Sequence, residues 1–185
     1  MPERYSVVLH PSPDVLTAVA AQKEALATAI GWYNSKNSLA HITLNEFEAP
    51  ETELEAIQKH LRGICRYLHA VPAAFSQYDT FPNGAFFLAP DAECKEVLRN
   101  LMKQFHQAFR YKTDIKSSEP HISIGRRLTP EQIAKAYALL GIPDIRFWCD
   151  RIALRRFNPE RKQFDVVAEF VFEGEKQEDL FSFLE

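Results

Sequence analysis

The sequence predicts an α+β protein, two pseudo-symmetric sheet-plus-helix lobes packed into one compact domain spanning 1–185, and three observations predict it. Strand-like and helix-like segments alternate along the whole chain. No low-complexity linker divides it. Each half carries a helix, then a short strand spelling the same residue pattern, then another helix.

Taken in order, Arg4 to His10 reads as a short buried strand. Ser12-Pro13 opens a helix, with Ser as N-cap and Pro at the first helical position, and Val15, Val19, Leu26 and Ile30 form a loose stripe that ends near Gly31. Leu39 to Phe47 returns to strand character. Leu54, Ile57, Leu61, Ile64 and Leu68 step by three and four residues and mark the clearest helix. Val71–Tyr78 and Ala85–Leu88 read as two strands about a Pro82-Asn83-Gly84 turn. A second long helix follows Pro90-Asp91, with Val97, Leu98, Leu101, Phe105 and Phe109 on its apolar side. His121 to Leu128 is a strand, and Thr129-Pro130-Glu131-Gln132 starts a helix with a capping box. Ile145–Phe157 and Phe164–Glu173 close the chain as two long strands joined across Asn158–Arg161.

Composition limits what such a fold does. Hydrophobic residues make up 46% and charged residues 25%, the balance of a soluble globular protein, and no apolar run approaches the roughly 20 residues needed to span a bilayer. Three widely spaced cysteines form no CxxC pair, so neither a disulfide framework nor a structural zinc site is expected. The first residues show no secretion signal, and the cytosol is the expected compartment. A net charge of −3 does not suit a long polyanion such as a duplex. The charge is uneven, however. Arg110–Arg127 and Arg146–Lys162 are basic, whereas Glu46–Glu55 and Asp165–Glu185 are acidic. A local basic face on an acidic protein suits a small anion or a nucleic-acid end.

The repeated strands carry the chemistry. His41-Ile42-Thr43-Leu44 and His121-Ile122-Ser123-Ile124 both spell His, aliphatic, hydroxyl, aliphatic, eighty residues apart in a chain with 6 His. A lone His on a strand is usually structural; two in matched strings point to catalysis. Side chains alternate along a strand, so His41 and Thr43 share one face, as do His121 and Ser123, while the aliphatics enter the core. Two imidazoles and two hydroxyls around one phosphate suit in-line displacement. One neutral His takes a proton from the attacking oxygen and the other, protonated, gives one to the leaving oxygen. The hydroxyls and a nearby cation steady the charge on the phosphoryl oxygens. This scheme needs no metal and no cofactor.

On these two motifs the chain resembles the 2H phosphoesterase superfamily, most closely its bacterial 2′-5′ RNA ligase and cyclic phosphodiesterase branch. The resemblance implies a bilobal fold with the motifs facing across a central cleft. It also implies action on 2′,3′-cyclic phosphates or 2′-5′ linkages without ATP or metal. It adds Arg126 after the second motif and Phe47 after the first as substrate-binding residues. Ser123 stands where the family more often has Thr, and Glu46 and Glu48 put negative charge near the first motif. The expected partner is an RNA end or small nucleotide bearing a cyclic phosphate, with no duplex nucleic acid and no membrane, met by a monomer. Two rivals remain open: a non-catalytic RNA-end or nucleotide binding module, and a histidine-ligated metallohydrolase. The second suffers from a lack of clustered carboxylate or thiolate ligands near either motif.

Overall fold

Strong strand formers and bulges arrange the chain as two curled antiparallel sheets in this computed structural model, which describes residues 1–175. The last ten residues of the acidic stretch 165–185 lie outside the described residues. The elements run β1 (Pro2–Leu9), α1 (Pro13–Ile30), β2 (Ile42–Pro50), α2 (Leu54–Cys65), β3 (Val71–Phe81), β4 (Ala85–Pro90), α3 (Ala92–Ala108), β5 (Ile115–Lys116), β6 (Ile122–Gly125), α4 (Pro130–Leu140), β7 (Ile145–Cys149), β8 (Arg151–Asn158) and β9 (Gln163–Val171). A five-stranded sheet has the order β5-β2-β1-β8-β9, and a four-stranded sheet the order β6-β4-β3-β7.

Local signals act as expected at several ends. Thr129 and Gln132 form the capping box of α4, and the Asp91 carboxylate accepts the Cys94 amide at the start of α3. Ser12 occupies the N-cap of α1 without a side-chain bond, and Pro13 supplies the helical start. Gly84 closes the β3–β4 turn at φ +81°, where a Cβ would come within 2.5 Å of the Leu128 carbonyl oxygen.

Two features depart from the expectation. The segment 145–157 is not one strand. It breaks at Asp150, and β7 joins the four-stranded sheet while β8 joins the five-stranded one. This crossing ties the two sheets together. Second, the two-residue strand β5 adds to the edge beside β2, through Asn45 opposite Lys116 and Glu46 opposite Ile115.

The core lies on the helix-covered side of each sheet. Tyr5, Val7, Leu9, Ile42, Phe47 and Leu154 are all buried at 1% exposure or less, on the five-stranded sheet, whose strands β8 and β9 carry α2. The helices α1 and α4 pack on the four-stranded sheet, where Phe86 meets Tyr137 edge-on and Tyr78 donates to Gln22.

Candidate active site

Both motifs open a strand, and both end in a β-bulge. In β2, Val8 lies opposite Thr43 and Val7 opposite Asn45, so Leu44 is the extra residue. In β6, Phe87 lies opposite Ser123 and Phe86 opposite Gly125, so Ile124 is the extra residue. A bulge re-aims the side chains after it, because it shifts the alternation by one. The fifth residue after each histidine therefore joins the histidine's face: Glu46 in one half and Arg126 in the other.

That shift corrects the expectation for Phe47. Without a bulge, positions 41, 43, 45 and 47 would share a face. With it, Phe47 turns into the core, has 0% exposure, and stacks on Tyr5 and Tyr111 with ring centroids 5.7 and 5.8 Å apart. It has no surface to offer a nucleobase. Glu46 turns instead to the cleft side, where its carboxylate pairs with Arg4.

The two imidazoles are held alike. His41 Nδ1 lies 2.7 Å from the Leu39 carbonyl oxygen, and His121 Nδ1 lies 2.9 Å from the Glu119 carbonyl oxygen. Each carbonyl, two residues before its histidine, accepts a proton and fixes the neutral ring with hydrogen on Nδ1. Nε2 is left as the basic atom. The surroundings then differ. Burial pushes the His41 pKa well below the usual imidazole value, Arg155 lowers it further, the Leu39 carbonyl opposes this, and Lys23 and Arg126 lower it again. Burial also lowers His121; the Glu119 carbonyl and carboxylate raise it and Arg126 lowers it. The charge of Arg126 thus acts on both rings. His121 sits between Phe81 and Phe87, with centroids at 5.4 and 5.1 Å.

A cleft of about 530 Å³ opens on His41 and Arg126, and its wall includes Arg127, Arg155, Trp32 and Phe164. Thr43, His121 and Ser123 lie outside that lining; Thr43 is half-buried and Ser123 is 8% exposed. Simple alternation would allow only one of Arg126 and Arg127 on this side. Arg127 takes φ +55°, breaks the alternation, and lines the cleft as well. A larger groove of about 1270 Å³ runs between α2 and the end of α3. It holds His60 and His69 but no motif residue, so the smaller cleft is the candidate. Among the described residues no group of three or more His, Cys, Asp or Glu is placed to hold a metal.

Two cations at the site carry weaker sequence signals. Arg155 is 5% exposed, donates from Nη2 to Ser6 Oγ at 3.0 Å, and among the described residues its buried Nε has no partner. Burial pulls its pKa down to about 10. Sequence placed it only within a general basic rim. Lys23 is buried in α1, on the same stripe as Val15, Val19 and Leu26, and a charged residue interrupting an apolar stripe was its signal.

Two antiparallel sheets thus carry one His-x-hydroxyl string each, with both imidazoles held through Nδ1. The sequence profile of the 2′-5′ RNA ligase superfamily matches residues 14–161, and the chain belongs to that family, the 2H phosphoesterases. A provisionally named phosphoesterase of Geobacillus sp. (strain WCH70) is 26% identical over 180 residues, covering 95% of this chain and 99% of that protein. Another, from Geobacillus kaustophilus (strain HTA426), is 29% identical over 140 residues, covering 74% and 80%. Two solved structures share the fold. E. coli LigT complexed with 3′-AMP has a TM-score of 0.63 at 13% identity, covering 93% of this chain and 99% of that one. TT0787 of Thermus thermophilus has a TM-score of 0.60 at 21% identity, covering 94% and 100%.

Proposed function

We propose that the chain opens 2′,3′-cyclic phosphates at RNA ends or on nucleotides by two-histidine acid–base catalysis, without a metal. The observation that carries this reading is the matched pair of imidazoles, each bound through Nδ1 to the carbonyl two residues earlier. Family membership supports phosphoesterase chemistry. The ligand of the LigT structure, 3′-AMP, is in keeping with a nucleotide in the cleft.

His41, lowered by burial and by the nearby charges of Arg155, Lys23 and Arg126, is neutral at pH 7 and acts as base, while His121, with the Glu119 carboxylate beside it, acts as acid. The His41 Nε2 takes the proton of a water or ribose hydroxyl as that oxygen bonds to phosphorus. One ring P–O bond breaks, and the leaving ribose oxygen receives the proton of His121 Nε2. Thr43, Ser123 and Arg126 bear on the non-bridging oxygens, where negative charge grows. With water the product is a phosphomonoester. With a 5′-hydroxyl it is a phosphodiester, so ligation and hydrolysis use one site.

The test is turnover of 2′,3′-cyclic mononucleotides in EDTA by the natural protein, His41→Ala and His121→Ala. The natural protein is expected to be active, and each variant to lose about a hundredfold or more in kcat. Activity abolished by chelation and restored by a divalent ion would favour a metallohydrolase. Phosphate binding without turnover on any cyclic substrate, short RNAs included, would favour a binding module.

A further inference from the structure

Lys23 stands at a buried position of α1 with 2% exposure, and among the described residues no carboxylate lies within ion-pair distance of it. Its ammonium has three protons and three acceptors: the Ser35 carbonyl at 3.0 Å, the Ser38 carbonyl at 2.7 Å and the Ser38 hydroxyl at 3.1 Å. The Ser38 hydroxyl in turn donates to the Ser35 carbonyl at 2.9 Å, and the Tyr33 hydroxyl donates to the Lys23 carbonyl at 2.9 Å. Ser35 itself holds φ +78°, a conformation that a non-glycine residue keeps only when its surroundings enforce it. The backbone of residues 33–39 is therefore folded around one buried charge. An aliphatic side chain would suit the stripe better, since burying an ammonium is costly unless its protons are used.

The loop held in this way reaches both halves of the site. The Asn34 carbonyl accepts the Arg126 amide at 3.0 Å, which is the bridge joining the loop to the end of β6. The Leu39 carbonyl accepts the Nδ1 proton of His41 at 2.7 Å.

We propose that Lys23 is a positioning residue: by clamping residues 33–39 it sets the Leu39 carbonyl on His41 and the Asn34 carbonyl on Arg126, and so holds the two motifs in register. It touches neither substrate nor reacting atoms. The catalytic part of this inference rests on the two-histidine reading; the clamp does not. There is also an electrostatic consequence. The charged groups acting on His41 are Arg155 from β8, Lys23 from α1 and Arg126 beyond β6. Burial and Arg126 bring the Lys23 pKa down to about 8, which leaves it mostly charged at pH 7. Removing that charge raises the His41 pKa.

Lys23→Met keeps the length and removes the donors, and Ser38→Ala removes one acceptor while leaving the lysine. Amide exchange at Arg126, the His41 imidazole titration followed by NMR, and kcat and KM for a 2′,3′-cyclic mononucleotide are measured on the full chain. For Lys23→Met we expect Arg126 exchange to quicken about tenfold or more and His41 to titrate at higher pH. We also expect kcat to fall about tenfold or more while KM moves less than about threefold. Ser38→Ala should quicken Arg126 exchange and lower kcat by less; because it keeps the lysine charge and loosens only the Leu39 carbonyl, which raises the His41 pKa, it should move the His41 titration slightly to lower pH. A variant of lower Tm in which Arg126 exchange and the His41 titration are unchanged would reduce Lys23 to a stabiliser of the fold and overturn the proposal. So would a loss confined to KM. If Lys23→Met does not fold, Ser38→Ala decides by the same two readouts. If the natural protein turns over no cyclic phosphate while both readouts shift, the functional reading fails and the clamp stands.

Discussion

His41 opens β2, an interior strand of the five-stranded sheet, with Arg155, Lys23 and Arg126 acting on it. His121 opens β6, the edge strand of the other sheet, between two phenylalanine rings and near the Glu119 carboxylate. The chain around the two is the same: a carbonyl two residues back on Nδ1, a hydroxyl two residues on, and a bulge at the fourth motif position. Local backbone geometry sets which nitrogen is free. Tertiary surroundings set how tightly it holds a proton, and in the proposed mechanism this is what separates base from acid.

The harshest way to break this comparison is to remove both rings. If the histidines act as one unit, the double variant His41→Ala/His121→Ala should be little worse than either single variant, each down about a hundredfold to ten-thousandfold in kcat. A double variant showing the product of the two losses would mean that each ring serves independently, and the base–acid assignment would fall.

Phe47 tests the bulge. Phe47→Ala should lower stability by about 3–5 kcal/mol, because a fully buried ring leaves a cavity. KM at a temperature where the variant is folded should remain within about twofold of the natural protein. Denaturant unfolding alongside kinetics decides it; a large rise in KM with little loss of stability would return Phe47 to the cleft.

The strings themselves, the hydroxyls on the histidine face, the α2 stripe and the Thr129–Gln132 cap were legible because each depends on residues within a few positions of one another. What escaped depends on the partner strand. A bulge is a property of two strands in register, so neither the family resemblance that put Phe47 at the site nor the sequence of β2 gave a sign that Glu46 would take the histidine's face. The break at Asp150 escaped for a related reason. The apolar positions change phase there, from Ile145, Phe147 and Cys149 to Ile152 and Leu154, but a change of phase carries no information about which sheet each half joins. Two residues of β5 are too few to show any period.

The electrostatic contrast makes a smaller prediction about pH. A base must be neutral, so activity rises through the His41 pKa as pH increases. Arg155 lowers that pKa, and Arg155→Met should move the acid limb of the kcat/KM profile to higher pH. An acid must be protonated, so activity falls through the His121 pKa. The Glu119 charge raises that pKa, and Glu119→Gln should move the alkaline limb to lower pH. Each shift is expected to be about a pH unit or less, given one charge near a partly solvated site. Exchanged responses, with Arg155 governing the alkaline limb, would reverse the roles of the two histidines.

The smallest effect concerns the equivalent positions after the bulges. Arg126 adds positive charge to the cleft, whereas Glu46, five residues after its own histidine, is occupied by the Arg4 guanidinium. Glu46 lines the same cleft as His41 and Arg126, and its carboxylate is met by the Arg4 guanidinium. The pair thus withholds one cation from an anionic ligand rather than repelling the reacting group. Glu46→Gln frees Arg4 and should lower KM for a cyclic phosphate by about twofold to threefold, with kcat unchanged. The gain should fade as salt rises toward about 0.5 M, because an exposed charge acts through screened solvent. A KM that rises instead, at every salt concentration, would show that Glu46 holds Arg4 over Phe157 and Phe164, where its guanidinium carbon stands 5.6 and 5.4 Å from the ring centroids. The acidic residue would then be shaping the cleft wall rather than tuning its charge.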